Sequence, residues 1–310
     1  MAASTTARTP RDVAEPSGVP ARPRTDRLAR RRALTAYLFL TPALAFFVIL
    51  FFYPLISEAI SSFYTGPGVD QWVGLGNYAR AIQDPAVQNS FLVTIRYAAG
   101  VLVLSIVLGL VMAIILNQRI RGRIAFRVIL LVPYLTTIAV VGVLWRNLLD
   151  PQVGIINRVL FALGLPEQAW LTTHPLLTVT LIAVWQETGY IMVLFLAGLQ
   201  GIPDMYYEAA KVDGASPLQR FRSITLPLLA PTTLFVSIVA VISALQQFAL
   251  PYIVTGGGPA DATDLFVLRA FNTAFTFRDF GYASALAFLM LVLILIISVI
   301  QLRIGRSAND

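Results

Sequence analysis

The densest group of chemistry-bearing residues lies between Ile202 and Pro227. Three carboxylates there, Asp204, Glu208 and Asp213, are balanced by Lys211, Arg220 and Arg222, and Lys211 is the chain's one lysine. Pro203-Asp204 is a helix start signal and Gly214 a stop signal. Ser216-Pro217-Leu218-Gln219 then has the form of a capping box with proline at the first helical position. The spacing predicts a short helix, a glycine turn and a second short helix, ended by Pro227 and Pro231 before the next apolar run. Ala209 and Ala210 permit close approach of another surface, Glu208 offers a charge to a basic partner, and Gly214 permits a left-handed turn. A helix that lies on lipid is basic on its polar face. A charge-balanced helix with small residues suits a groove in another protein.

A second group sits inside apolar runs: Trp185-Gln186-Glu187-Thr188-Gly189-Tyr190 and Gln246-Gln247-Phe248. Ionisable residues within a membrane usually face a cavity or a partner. Sugars present hydroxyl edges and an apolar face, so Glu187, Gln186, Gln246 and Gln247 beside Trp185 and Tyr190 suit a solute path. The alternatives are a membrane-interface role for Trp and Tyr and helix-to-helix hydrogen bonds for Gln. Catalysis is not indicated. With no cysteine, disulfides, thiolate chemistry and Cys-based zinc sites are excluded. The single histidine, His174, rules out a His-rich metal site and a credible Ser-His-Asp set. A nucleotide-binding P-loop needs a lysine in a glycine-rich setting, which Lys211 lacks. Gly256-Gly257-Gly258-Pro259 reads as a turn.

The elements that must hold these groups follow from composition. The 310 residues are 57% hydrophobic and 13% charged, against about 25% charged in a soluble domain. Mean hydropathy is +0.75. Six apolar segments, 34–62, 91–116, 125–147, 176–200, 232–253 and 282–303, are long enough to cross a bilayer as helices. Residues 1–33, rich in Arg, Pro, Ala, Ser and Thr, read as a disordered basic tail. Ala43-Leu44-Ala45 has the look of a signal-peptide cleavage site, but the apolar run continues to Ile56, as in a retained anchor. Placing the N-terminus in the cytoplasm puts 17 of the 23 Lys and Arg on the inner side. That is the expected positive-inside bias, and six crossings return the C-terminus to the same side. The segmentation is thus a tail (1–33), a six-helix membrane domain (34–303) with an inner loop at 201–231, and a short tail (304–310). The net charge of +7 is accounted for by this sidedness and does not imply nucleic acid.

Glu208-Ala209-Ala210, Asp213-Gly214-Ala215 and Ile224-Thr225-Leu226-Pro227 together resemble the EAA loop of membrane permeases in bacterial ATP-binding-cassette (ABC) importers. Val73-Gly74-Leu75-Gly76-Asn77-Tyr78, Thr255-Gly256-Gly257-Gly258-Pro259 and Asp279-Phe280-Gly281-Tyr282-Ala283-Ser284-Ala285 resemble outer-loop signatures of the carbohydrate-uptake, MalF-like members. The resemblance covers about residues 34 to 303. It lacks the extra N-terminal spans and the large outer domain of the maltose protein. It implies an all-α polytopic type I importer fold in the bacterial plasma membrane, with both termini cytoplasmic. It implies a second, MalG-like permease, two ABC ATPase subunits and an extracytoplasmic solute-binding protein as partners, in membrane lipid. ATP and magnesium would be used by the ATPases and no cofactor bound by this chain. Glu208, Ala209, Ala210, Asp213 and Gly214 would be the coupling residues. The solute implied is a sugar, with glycerol 3-phosphate or glycerophosphodiesters as the alternative within the same class. An ion-driven secondary carrier is the reading from another class, but Glu187 is the only carboxylate deep in a span.

Overall fold

The computed structural model describes residues 25–66, 69–118 and 120–307. Two compact units divide at Ile56 and Ser57. In the first, helix α1 (Thr25–Phe47) passes through a π turn (Val48–Phe52) into α2 (Tyr53–Ser61). The expected disordered tail therefore ends earlier than residue 33 among the described residues, and its first 24 residues lie outside them. Arg-, Ala- and Leu-rich sequence favours extension of the helix. Residues 32–56 are exposed throughout this unit, with Phe39, Phe46 and Phe51 facing outward.

The second unit begins with a hairpin, β1 (Tyr64–Thr65) and β2 (Gln71–Trp72), antiparallel with Tyr64 opposite Trp72. Helix α3 (Gly76–Gln83) follows. Asp84 then accepts from the Ala86 amide at 2.9 Å and Pro85 occupies the first turn. This cap starts α4 (Pro85–Asn117) well before the apolar run at 91. α5 (Arg123–Leu135) and α6 (Ile138–Leu148) meet at a 94° bend. The third segment, expected as one continuous span over 125–147, is therefore a broken one. Pro133 withholds an amide, and the β-branched pair Thr136-Thr137 occupies the break. Short helices α7 (Ile155–Ala162) and α8 (Trp170–Thr173) lead to α9 (Pro175–Gln200).

After α9 come α10 (Asp204–Val212) and α11 (Pro217–Arg220). Pro227 does not end the second short helix as expected. The chain continues through a π turn (Phe221–Thr225) and α12 (Leu226–Leu228) into α13 (Ala230–Leu245), and Pro231 lies in the first turn of α13. Pro54 and Pro227 each stand two residues past a π turn. The wider turn relieves the clash between a proline ring and the carbonyl four residues back. The fifth segment breaks at Gln246–Phe248 and resumes as α14 (Ala249–Val254). Helix α15 (Phe266–Phe275) precedes α16 (Phe280–Ser307), which runs on past the expected end at 303.

The core is built on α4 and α9, which run parallel. Gly100 lies against Thr180 and Gly109 against Ile191. One apolar cluster, including Val93, Val101, Val179 and Leu286, fills the end where both helices begin. A second, including Ala113, Met192, Phe195 and Leu229, fills the other. Arg127, early in α5, donates to the Leu116 carbonyl at the end of α4 (2.7 Å), whereas Val141 of α6 and the following Leu149 join the first cluster. The bent α5–α6 pair thus carries the chain from one end to the other. With the five helices long and apolar enough to cross a membrane, it makes up to six candidate spans. Gly189 lets α5 lie close on α9: a Cβ there would collide with the Leu130 carbonyl of α5.

Candidate functional site

The inner loop folds into two capped pieces. α10 closes with a pair of backbone bonds, Ala215 N–H to the Ala210 carbonyl (2.9 Å) and Gly214 N–H to the Lys211 carbonyl (3.1 Å). Gly214 has φ +75°. These are the two bonds and the left-handed residue of a Schellman motif. α11 opens with the expected capping box: Ser216 N–H donates to Gln219 Oε1 (2.7 Å) and Gln219 N–H to Ser216 Oγ (3.3 Å). Asp204 stands in the first turn of α10, where a carboxylate suits the helix dipole. The Tyr207 hydroxyl and Thr225 Oγ1 are 3.0 Å apart and pin α10 to the turn that follows α11. Glu208, Ala209, Asp213 and Gly214 are exposed and Ala210 is half-buried. Met205 (68% exposed) and Val212 (88%) flank them, so the surface carries uncovered apolar area beside its charges.

The residues expected to line a solute path separate into different roles. Glu187 Oε1 accepts from Ser243 Oγ of α13 at 2.6 Å. Three residues along α9, Tyr190 stacks on Tyr134 with ring centroids 4.4 Å apart and planes within 6°. These four line a cleft of about 40 Å³. Trp185, about 200° round the helix from Glu187, instead packs edge-on against Trp145 (5.3 Å). It borders a separate apolar groove with Leu130, Val132 and Leu181. Gln186 is buried and donates to the Thr136 carbonyl (3.4 Å) left open by the α5–α6 break. Gln247 Oε1 accepts from the amides of Phe248 (3.0 Å) and Leu250 (3.4 Å), starting α14. Gln246 ends α13 and is exposed. Sequence reasoning missed Ser243 and Tyr134. Ser243 was detectable as a polar residue three and four positions before Gln246 and Gln247 in the same apolar run.

At the end where α4 and α9 begin, a polar network holds the loops. Asp264 is 2% exposed. It accepts from Ser90 Oγ (2.7 Å) and pairs with Arg269 Nε (2.6 Å). Arg269 also reaches Asp261 (3.2 Å), and Thr94 Oγ1 accepts from the Phe266 amide (2.7 Å). Burial pushes the Asp264 carboxyl above the ordinary aspartate range, with Ser90 and Arg269 pulling the other way. Arg80 pairs with Asp279 (2.6 Å) and lies over the Tyr282 ring, whose hydroxyl donates to Asp84 (3.0 Å). Asn77 donates to the Ser62 (2.9 Å) and Tyr64 (2.7 Å) carbonyls. Ser284 donates to Glu58. The loop signatures at 73–78 and 279–285 are thus structural ties. The turn at Gly256–Pro259 is held by Thr263, which donates to the Gly258 carbonyl (3.0 Å). Among the described residues no group of three or more metal-binding side chains occurs.

This chain is similar along most of its length to known transport proteins. It is 35% identical over 291 residues to the trehalose/maltose transport system permease protein MalF of Thermococcus litoralis, covering 92% of this chain and 98% of that one. It is 32% identical over 272 residues to the sn-glycerol-3-phosphate transport system permease protein UgpA of Agrobacterium fabrum, covering 86% and 93%. Its fold matches a chain in the crystal structure of a bacterial alginate ABC transporter in complex with an alginate pentasaccharide-bound periplasmic protein. That match has a TM-score of 0.80 at 21% identity, covering 91% of this chain and 98% of that one. Residues 105–309 match the family described as "Binding-protein-dependent transport system inner membrane component", and the chain belongs to that family as a multi-pass, non-catalytic permease subunit of an ABC importer.

Proposed function

We propose that this permease forms, with a second homologous permease, the path for a sugar or sugar-related solute handed over by an extracytoplasmic binding protein. Two separate ATPase subunits drive it through α10. The observation that carries the coupling role is the exposed surface formed by Glu208, Ala209, Asp213 and Gly214 on a helix closed by a Schellman turn. A rigid short helix with small residues on its outer side can seat in a groove and transmit displacement as a body. It follows α9 directly and leads through α11, the π turn and α12 to α13, and α9 and α13 carry Glu187 and Ser243. The loop is cytoplasmic in this reading and both termini lie on the same side, as the Lys and Arg distribution favours. ATP and magnesium act on the ATPases, and this chain takes part in the chemistry only by moving.

The solute meets Glu187, Tyr190, Tyr134 and Ser243, with Gln246 and Gln247 further along the fifth span. Hydroxyl-rich solutes suit these acceptors and ring faces. The sugar-permease relative supports this class, and the glycerol 3-phosphate permease keeps phosphorylated polyols as the second reading. The test is uptake and ATP hydrolysis by the reconstituted transporter carrying Gly214→Asp or Glu208→Lys. Both variants should insert and assemble, yet lose most solute-stimulated uptake. Normal uptake by both would overturn the coupling role. A screen of the cognate binding protein against sugars and glycerophosphodiesters decides between the two solute classes.

A further inference from the structure

A second cavity, of about 510 Å³, lies behind α10 where α4 and α9 end. Asn117 and Gln118 contribute from the end of α4, Asp204, Tyr207 and Lys211 from α10, and Arg220 from α11. Its wall is apolar, formed by Ile114, Leu199 and Phe221. The ion pairs among the described residues are Arg80–Asp279, Arg269–Asp261 and Arg269–Asp264, so Asp204, Lys211 and Arg220 take part in none. The Arg220 Nε is buried and has no hydrogen-bond partner. An open guanidinium donor in a recess is costly unless an acceptor meets it. Capping of α11 fixes the backbone of Arg220 beside the cavity.

We infer that this cavity binds a phosphate group, supplied by the headgroup of an anionic phospholipid. Several acceptor oxygens on one tetrahedral centre suit donors arriving from Lys211, Arg220 and the amides of Asn117 and Gln118. Asp204 on the rim accepts from headgroup hydroxyls such as those of phosphatidylglycerol. The apolar wall at the ends of two membrane-crossing helices receives the glycerol backbone and the first acyl carbons. A soluble phosphate would use the cations alone. The bound phosphate would tie α10 to the end of α4, restraining the element proposed above to couple. That consequence rests on the coupling reading, whereas the site itself does not.

The test uses the assembled, nucleotide-free transporter stripped of lipid in detergent, titrated with short-chain phosphatidylglycerol, short-chain phosphatidylcholine or inorganic phosphate and read by native mass spectrometry. Phosphatidylglycerol should bind saturably and above phosphatidylcholine. Arg220→Gln and Lys211→Gln should each weaken it about tenfold, as loss of one charge-assisted bond does, and exposed Arg222→Gln should not. Competition by inorganic phosphate only in large excess would confirm phosphate as the recognised group of a lipid ligand, and phosphate binding as tight as that of phosphatidylglycerol would assign the soluble source. If Arg220→Gln fails to assemble, Lys211→Gln on the exposed rim gives the same reading. Equal binding of the two lipids with no phosphate binding, or unchanged binding in both variants, would overturn the site. Because this readout is binding, it is independent of the uptake assay that tests coupling.

Discussion

The two ends of α4 and α9 are held by different means. Where the helices begin, polar side chains join segments far apart in sequence: Ser90 to Asp264 across 174 residues and Arg80 to Asp279 across 199. Where they end, the side-chain bond that holds α10, Tyr207 to Thr225, spans only 18, and among the described residues the neighbouring cations Lys211 and Arg220 join no ion pair. The first end has internal partners for its buried charges. The second keeps its charges and apolar side chains on offer. A surface that must engage and release another protein cannot have its interactions satisfied in advance. The contrast therefore supports a fixed frame at one end and a partner-dependent element at the other.

Perturbing the fixed end should cost the most stability. Arg269→Ala would leave Asp264 buried without its cation, a loss of about 3–5 kcal/mol for a broken buried pair. Thermal unfolding of the assembled transporter measures it, and a shift within error would show that this network is not what holds the loops. The same carboxyl carries a pH signature. Its folded pKa is raised, so its contribution to stability is full below the unfolded aspartate value and is lost as pH rises through the folded one. Asp264→Asn has no such titration. The stability difference between the native protein and Asp264→Asn should therefore move in the native protein's favour as pH falls from about 7 to about 4. Asn77→Ala ranks next. It leaves the Ser62 and Tyr64 carbonyls without their donor, for about 1–3 kcal/mol, read in the same unfolding assay.

Much of this architecture is legible in the sequence, and the parts that are not have identifiable causes. The helix caps at Ser216 and Gly214 depend on local residue types, so they appear where the spacing places them. The broken third span does not, because an apolar run looks the same straight or bent. Its local cause lies in Pro133 and Thr136-Thr137, while the packing of α5 on α9 depends on Gly189 of a different helix. The solute-path residues of α9 are adjacent in sequence, yet neighbours on a helix diverge by about 100°. Trp185 and Gln186 thus turn to other partners while Glu187 and Tyr190 remain together. The Asp264 network was unreadable, since its members come from α4, from the loop before α15 and from α15 itself.

Smaller effects belong to the partner-dependent end. A Cβ at Gly214 would meet no heavy atom within 4 Å, so only backbone strain at φ +75° opposes substitution. Gly214→Ala should cost about 1 kcal/mol, and Gly214→Asn less, because asparagine tolerates the left-handed region. If uptake falls in Gly214→Ala and returns in Gly214→Asn, the turn geometry itself is required. If both behave as glycine does, the bend is only a connector.

A change of similar size at Tyr207 is the most discriminating. Tyr207→Phe keeps the ring and removes the hydroxyl that meets Thr225 Oγ1, so stability should fall by only about 0.5–1.5 kcal/mol. Were α10 merely a surface loop, transport would follow stability and hardly change. Were it the lever between ATPase and permease, loosening its one side-chain tie to the turn after α11 would let it move without carrying α13. ATP hydrolysis would then persist while uptake per ATP declines. That ratio, measured in vesicles beside the unfolding temperature, separates a mechanical tie from a structural one.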